Sequence, residues 1–316
     1  MSGQWSIASH QQNPCAGTPK TAPNGGSRPS RPRPDTGGTM SVTVSPISPE
    51  VGVEITGLTG SQLADPAVAA DTQKYLDEHG VVIYQGAHIG DADLVALSRL
   101  LGEVVVAPMG GEKEYPEVSA ITLDPAQSVL AAYRAGTFYW HIDGANDLVP
   151  QKATLLTALE VATEGGDTEF ANLYAAYDGL SDEEKARFGE FRVVHSFAAA
   201  QRLVHPNASE KMRASWDKVP SREHPMVWTR RNGRKSLLVG ATADHVVGLP
   251  AEESRALLDR LLDWATQPRF ALRHHWRLGD LVIWDNTGIL HRAQPYTAES
   301  RRLMHRTTLV GEEAVA

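Results

Sequence analysis

Gly279-Asp280-Leu281-Val282-Ile283-Trp284-Asp285-Asn286-Thr287-Gly288-Ile289-Leu290-His291 is the stretch from which the fold of this 316-residue chain can be read. Gly279-Asp280 is turn chemistry, and the four apolar residues after it read as a buried strand. The stretch ends on a histidine. A second informative segment lies far upstream, in Tyr139-Trp140-His141-Ile142-Asp143, where aromatic and β-branched neighbours point to extended backbone. In such backbone residues i and i+2 face the same way, so His141 and Asp143 share a face.

A neutral nitrogen and an anionic oxygen donor then stand together, and a strand that delivers His291 beside them completes two imidazoles and one carboxylate. That set, on one side of an octahedral iron(II), leaves three positions open for co-substrate and oxygen. By itself an H-x-D pair is a common pattern in a chain with 12 histidines, and a structural or surface histidine is its ordinary explanation. The residues after His291 change the weighing. Arg301-Arg302-Leu303-Met304-His305-Arg306 runs into Thr307, Thr308, Leu309 and Val310 and reads as a strand that carries guanidinium forks. A dicarboxylate chelating a metal through one end needs such a fork for its other end, and a hydroxyl donor beside it.

Outward from these motifs, helix and strand signals mix. Asp65 then Pro66 read as a helix start, with the helix ending at Gly80 and Val81-Val82-Ile83-Tyr84 following as a strand. Asp91 to Leu101 repeats the pattern with Gly102 as its stop. Ser181 with Glu184 makes a capping box, and Leu257, Leu258, Leu261 and Leu262 mark an amphipathic helix that stops before Pro268. Val227 to Arg231 and Arg234 to Val239 flank Asn232-Gly233, the pair that favours a type I′ hairpin. No internal repeat is found.

Hydrophobic residues make up 41% and charged residues 22%, and no apolar run approaches the roughly 18 residues of a membrane span, so a soluble chain is expected. Cys15 is the single cysteine, which excludes an internal disulfide and a thiolate metal cluster and leaves histidine and carboxylate as metal donors. Residues 1–39 hold six Pro and six Gly without hydrophobic periodicity and are expected to be disordered, or a mis-called extension ahead of Met40. They carry four basic side chains against Asp35, a net +3, so the remainder carries −11 of the chain's −8, which disfavours nucleic acid as a partner.

Several ordered motifs resemble one family, the taurine dioxygenase and 2,4-dichlorophenoxyacetate dioxygenase group of iron(II), 2-oxoglutarate enzymes. They are Trp140-His141-x-Asp143, then Gly165-Gly166-Asp167-Thr168-Glu169-Phe170 leading into Ala175-Ala176-Tyr177, then Gly233-Arg234-Lys235, then Gly279-Asp280-Leu281-Val282-x-Trp284-Asp285-Asn286 with His291-Arg292, and Arg301-Arg302. The resemblance spans roughly 51–311. It implies a mainly β double-stranded β-helix (jelly-roll) core with flanking helices in a domain over 40–316. It implies His141, Asp143 and His291 as catalytic iron ligands, Thr168 and Arg302 on the far carboxylate of 2-oxoglutarate, and Arg306 on a substrate or co-substrate anion. The cofactors implied are Fe(II), 2-oxoglutarate as co-substrate and O2.

The activity implied is hydroxylation of an aliphatic carbon with release of succinate and carbon dioxide. Where that carbon bears a sulfonate or aryloxy group, the product collapses to sulfite or a phenol. Retention of the Asp143 carboxylate matches a hydroxylase, since related halogenases lose it. The expected partner is a small anionic substrate, an aryloxyalkanoate or sulfonate, in a cytoplasmic protein without nucleic acid or membrane, with homo-oligomer formation left open. Relatives tend to place Asn four residues before the first histidine, where this chain has Thr137, so its substrate contact is open. Trp140 and Trp284 are expected in the core, while His245, His274, His275 and His305 have no assignment. The rival readings are a metal-binding barrel without 2-oxoglutarate turnover and a serine hydrolase. The chain has no G-x-S-x-G elbow for the hydrolase and no H-E-x-x-H for a zinc peptidase.

Overall fold

The computed structural model describes residues 41–106 and 111–316, so the expected tail over 1–39, with Cys15, lies outside the described residues. The chain runs through β1 (Thr43–Pro46), β2 (Val53–Thr56), α1 (Pro66–His79), β3 (Val81–Tyr84) and α2 (Asp91–Leu101). Next come β4 (Ser119–Ile121), β5 (Ala153–Glu160), β6 (Thr168–Asn172), α3 (Leu173–Asp178) and α4 (Asp182–Gly189). A middle section holds β7 (Arg192–His195), α5 (Phe197–Val204), α6 (Glu210–Trp216), β8 (Arg222–Pro225), β9 (Val227–Thr229), β10 (Lys235–Leu237) and β11 (Ala243–Val246). Helix α7 (Ala251–Ala265) then precedes β12 (Ala271–His274), β13 (Leu281–Asp285), β14 (Ile289–Ala293) and β15 (Leu303–Thr308).

The helix boundaries follow the capping chemistry. Asp65 accepts from the Ala67 N–H at 2.7 Å with Pro66 in the first turn, and Ser181 and Glu184 form the predicted capping box of α4. The hairpin differs from its expected form. β9 and β10 do pair antiparallel, but over three residues each, and only Gly233 of the turn has a positive φ (84°). A type I′ turn needs positive φ at both central residues, and Asn232 does not supply it. The observed bonds, Gly233 N–H to Arg230 O and Arg230 N–H to Arg234 O at 2.8 Å each, make instead a three-residue loop closed by a left-handed glycine.

Two sheets enclose the interior. The larger has the order β1-β2-β3-β13-β5-β15-β4 and the smaller β12-β6-β14. Alternation along each strand sorts its side chains into layers. On β13, Leu281 and Ile283 turn to the α1/α2 side, where they join Leu76, Leu94, Leu97 and Leu101. Val282 and Trp284 turn the other way and meet Phe170 of β6, Leu272 of β12 and Ile289 of β14 between the sheets. The outer face of the smaller sheet, through Ala171 and Leu290, packs on Leu258 and Leu261 of α7 and on Met226, Trp228 and Leu237. Trp140 and Trp284 are both buried, as expected. The architecture is therefore β-rich with helices on both outer faces, and no helix among the described residues is long and apolar enough to cross a membrane.

Candidate active site

His141 and His291 meet through their backbones. The two residues form an isolated antiparallel bridge and exchange two N–H···O bonds of 3.0 Å each, so the segment ahead of Asp143 joins the smaller sheet as a further edge beside β14. Directly opposed residues in such a pair carry their side chains on one face, and here the imidazole centroids lie 4.2 Å apart. Asp143 completes the cluster: its Oδ1 is 3.8 Å from His141 Nε2 and its Oδ2 3.8 Å from His291 Nε2. All three donor atoms fall within 4.8 Å of one another, a spacing that a single metal ion can span.

The chemistry of each donor suits a cation. His141 Nδ1 lies 2.8 Å from the Tyr139 carbonyl, which can only accept, so Nδ1 carries the proton and the Nε2 lone pair faces the cluster. Burial, aided by the neighbouring His141, pushes the His291 imidazole down to about 3 and keeps it neutral. For Asp143 burial alone would raise the carboxyl, but His291, Arg306, His141 and the Thr154 hydroxyl outweigh it and hold it well below the usual carboxylate range.

A chain of donors orients that carboxylate. Trp284 Nε1, which can only donate, gives its proton to Asn286 Oδ1 at 2.9 Å. The Asn286 amide nitrogen must then donate onward, to Thr154 Oγ1 at 2.8 Å, which leaves the Thr154 hydroxyl to donate to Asp143 Oδ2 at 3.1 Å. Sequence reasoning missed the roles of Asn286 and Thr154. The Trp284-Asp285-Asn286 motif was in view, but only the register of β13 against β5, which sets Trp284 opposite Thr154, shows what it reaches.

A second indole does the same a few strands away. Trp276 Nε1 donates to Thr168 Oγ1 at 2.9 Å, so the Thr168 hydroxyl proton is free to point at an acceptor. Thr168 and Arg302 are both buried, at 4% and 3% exposure. Arg302 donates through Nε to the Gly166 carbonyl at 3.0 Å and lies over the rings of Tyr296 and Trp276 at 5.1 and 5.9 Å. Among the described residues its Nη fork has no carboxylate partner. A buried hydroxyl donor and a buried guanidinium without a carboxylate partner thus stand around the same indole, two donors of the kind a ligand carboxylate requires. Arg306, on β15, approaches the metal cluster with Nη1 3.6 Å from Asp143 Oδ2. The structure thus brings His141, Asp143, His291 and Arg306 into one cluster, and sets Thr168 and Arg302 around the Trp276 indole.

Thr137 Oγ1 donates to the Arg134 carbonyl at 2.6 Å. His245 is exposed and lies 3.2 Å from Asp244. His274 pairs with buried Asp280 at 3.2 Å, and His305 lies 2.7 Å from Asp91. None of these histidines joins the cluster.

Known proteins resemble this chain over most of its length. The sequence model of the "Taurine catabolism dioxygenase TauD, TfdA family" matches residues 43–308. An alpha-ketoglutarate-dependent 2,4-dichlorophenoxyacetate dioxygenase from Burkholderia sp. (strain RASC) is 30% identical over 285 residues, covering 86% of this chain and 95% of the relative. An alpha-ketoglutarate-dependent sulfate ester dioxygenase from Pseudomonas putida is 29% identical over 287 residues, covering 87% and 92%. Among solved structures, AAD-2 in complex with Mn(II) and N-oxalylglycine superposes with a TM-score of 0.71 at 27% identity, over 87% of this chain and 100% of that one.

Proposed function

This chain belongs to the taurine catabolism dioxygenase TauD, TfdA family of 2-oxoglutarate-dependent oxidoreductases, which work with iron(II) and O2, and from that premise we propose which of its residues do the work and on what. His141, Asp143 and His291 hold the iron. Thr168 and Arg302 hold the far carboxylate of 2-oxoglutarate, and Arg306 reaches an anion on the substrate side. The substrate is a small acid whose aliphatic carbon is hydroxylated while 2-oxoglutarate goes to succinate and carbon dioxide. Relatives that are a 2,4-dichlorophenoxyacetate dioxygenase and a sulfate ester dioxygenase support an anionic substrate. The two facing sheets are read as a double-stranded β-helix with the metal near its mouth.

The observation that carries this reading is the conjunction of a two-histidine, one-carboxylate cluster with a buried hydroxyl–guanidinium pair that has no acid of its own. Iron(II) in the cluster supplies the redox chemistry that couples O2 to oxidation of both organic substrates. The protein's share is positional. The Trp284–Asn286–Thr154 chain fixes the Asp143 oxygens, Trp276 fixes the direction of the Thr168 hydroxyl, and the forked Arg302 sets the co-substrate's orientation.

Under anaerobic conditions, iron(II) and 2-oxoglutarate added to the protein give the visible charge-transfer band of a metal-chelated keto acid, and Asp143→Ala abolishes it. A wild-type protein that never develops the band overturns the assignment. A panel of sulfonates, aryloxyacids and amino acids assayed for substrate-dependent succinate tests the substrate class, and no response to any anion removes that class while leaving the iron site standing.

A further inference from the structure

The three proposed metal ligands are not held alike. His291 lies within β14 and His141 is bridged to it by two backbone bonds, whereas Asp143 sits in a turn outside the sheets. Thr154 and Arg306 meet its carboxylate, but the backbone that carries it belongs to the irregular loop 143–152, which ends where β5 begins. Such a loop keeps one position only if groups outside it take up its polar atoms and pack on its side chains.

Much of that support comes from the segment that follows β15. Gly311 lies flat on the loop: a Cβ there would stand 2.0 Å from the Pro150 carbonyl oxygen and 2.6 Å from Val149 Cγ1. Val315 donates its N–H to the Leu148 carbonyl at 3.2 Å, and its side chain is buried in the core cluster that also holds Trp140, Ile142 and Ala145, the neighbours of Asp143. At the loop's far end the Lys152 N–H donates to the Leu309 carbonyl at 3.1 Å. Strand β8 adds a support of its own, with His224 Nε2 3.0 Å from the Asp147 carbonyl.

The segment over 310–316 is itself irregular, so it needs an anchor, and Glu313 provides it. Its Oε2 accepts from Arg230 Nε at 3.0 Å and its Oε1 from the Arg231 N–H at 2.6 Å, so the turn of the β9–β10 hairpin takes both oxygens. The Glu313 side chain is only 12% exposed, which makes these charge-assisted bonds strong and their loss costly. Arg230 is fixed in turn: its Nη1 donates to the Tyr174 hydroxyl at 3.0 Å, and its guanidinium lies over the Trp228 ring at 4.7 Å. Glu312, one residue earlier, is exposed and pairs with Lys152 at 2.9 Å, a surface contact of small worth.

We propose that Glu313 is a positioning residue for the metal site: by anchoring Gly311–Val315 to the hairpin it holds the loop behind Asp143 and so sets the carboxylate ligand. The proposal rests on the site reading above. It gives the β9–β10 hairpin a part in the site although none of its residues is a donor to the metal. Loss of the anchor costs the metal rather than the co-substrate, because Thr168 and Arg302 stand elsewhere, on β6 and just ahead of β15.

The test is an anaerobic titration of metal-free protein with iron(II), followed by 2-oxoglutarate at saturating iron(II), each variant being used at a temperature where its melt shows it folded. Glu313→Ala lowers iron(II) affinity about 10-fold, the scale for loss of a partner behind a metal ligand, while 2-oxoglutarate affinity stays within about twofold. Glu313→Gln keeps one acceptor and falls between Glu313→Ala and wild type. Gly311→Ala leaves the anchor intact but pushes on the Pro150 carbonyl, and it lowers iron(II) affinity by about threefold or more; this variant carries the test if Glu313→Ala does not fold. Glu312→Ala, on the same segment, leaves iron(II) affinity within about twofold. A Glu313→Ala protein that melts lower yet binds iron(II) as wild type does overturns the proposal, since the anchor then serves stability alone. So does an equal loss of iron(II) and 2-oxoglutarate affinity, which marks general loosening, or a loss in Glu312→Ala as large as that in Glu313→Ala. Wild-type protein that takes up no iron(II) is seen before any variant is made and sinks the site reading instead.

Discussion

Two tryptophans at this site act through proton direction rather than through packing alone. An indole N–H can only donate, so each threonine hydroxyl at the end of its chain has its own proton left for an anion: Asp143 in one case, the 2-oxoglutarate carboxylate of the proposed site in the other. Thr154→Val keeps the shape and removes the donor to Asp143. Iron(II) affinity is expected to fall about 10-fold, as for loss of other partners behind metal ligands. Titration of the metal-free protein measures it, and an unchanged affinity means that the chain does not support the metal site. Trp276→Phe releases the Thr168 hydroxyl to turn elsewhere, so KM for 2-oxoglutarate is expected to rise about fivefold with kcat nearly unchanged, the equivalent of about 1 kcal/mol for one hydrogen bond. A fall in kcat at unchanged KM counts against the orienting role. That His141 and Asp143 share a face could be read from their i, i+2 spacing, because extended backbone fixes it; reading them as ligands needed His291 and the arginines after it as well. Trp276 and Asn286 could not, since the threonines they orient lie 108 and 132 positions away in sequence.

Strand β15 shows how period two does the work of assembly. Met304 faces the interior between the sheets and Arg306 shares its parity, while His305 and Thr307 face the other way and bond to Asp91 and Ser98 of α2; Arg302 sits just ahead of the strand, where the register with β5 shifts. Arginines at such positions are ordinarily solvated, and only the pairing of β15 between β5 and β4 shows that this face is closed. The loop before β6 is fitted to the same end. Gly166 has φ 73°, and a Cβ there would stand 3.0 Å from Arg302 Cδ and 2.8 Å from Ala162 Cβ. Gly166→Ala is therefore expected to cost about 1 kcal/mol or more in stability through the left-handed backbone. It should also displace Arg302 and weaken 2-oxoglutarate binding, which a thermal melt with and without 2-oxoglutarate reads as two separate losses. A variant that melts lower but gains the full ligand shift shows that the glycine serves the turn alone. The β9–β10 turn marks the limit of local reading. Asn-Gly predicted a hairpin, which forms, but the type of turn was decided by where β9 and β10 stop pairing, a tertiary outcome that the dipeptide does not contain.

At the scale of the whole molecule, the region behind the site contains a second histidine pair that contributes no chemistry and instead makes the fold acid-sensitive. His195 on β7 and His224 on β8 are buried with ring centroids 5.8 Å apart; His195 Nδ1 bonds Thr242 and His224 Nε2 lies 3.0 Å from the Asp147 carbonyl. Burial pushes His195 down to about 3, with the charge of His224 adding to it, and burial lowers His224 as well. In the unfolded chain both take up a proton near pH 6.5. Below that pH the unfolded state binds more protons than the fold, so this contribution is fully present above about 6.5 and is lost as the pH falls toward about 3. His195 contributes a slope of about 1.4 kcal/mol per pH unit, and His224 adds in the same direction. His291 adds in the same direction when no metal is bound, so the measurement belongs on the metal-free protein. Urea midpoints between pH 7.5 and 5 should fall steadily for wild-type protein, and His195→Gln should remove about one proton's worth of that slope. Acid unfolding driven by carboxylates begins lower, near their ordinary range of about 4. A wild-type midpoint that is flat down to pH 5 and then drops would assign the acid limit to the carboxylates and leave the buried pair without a part in it.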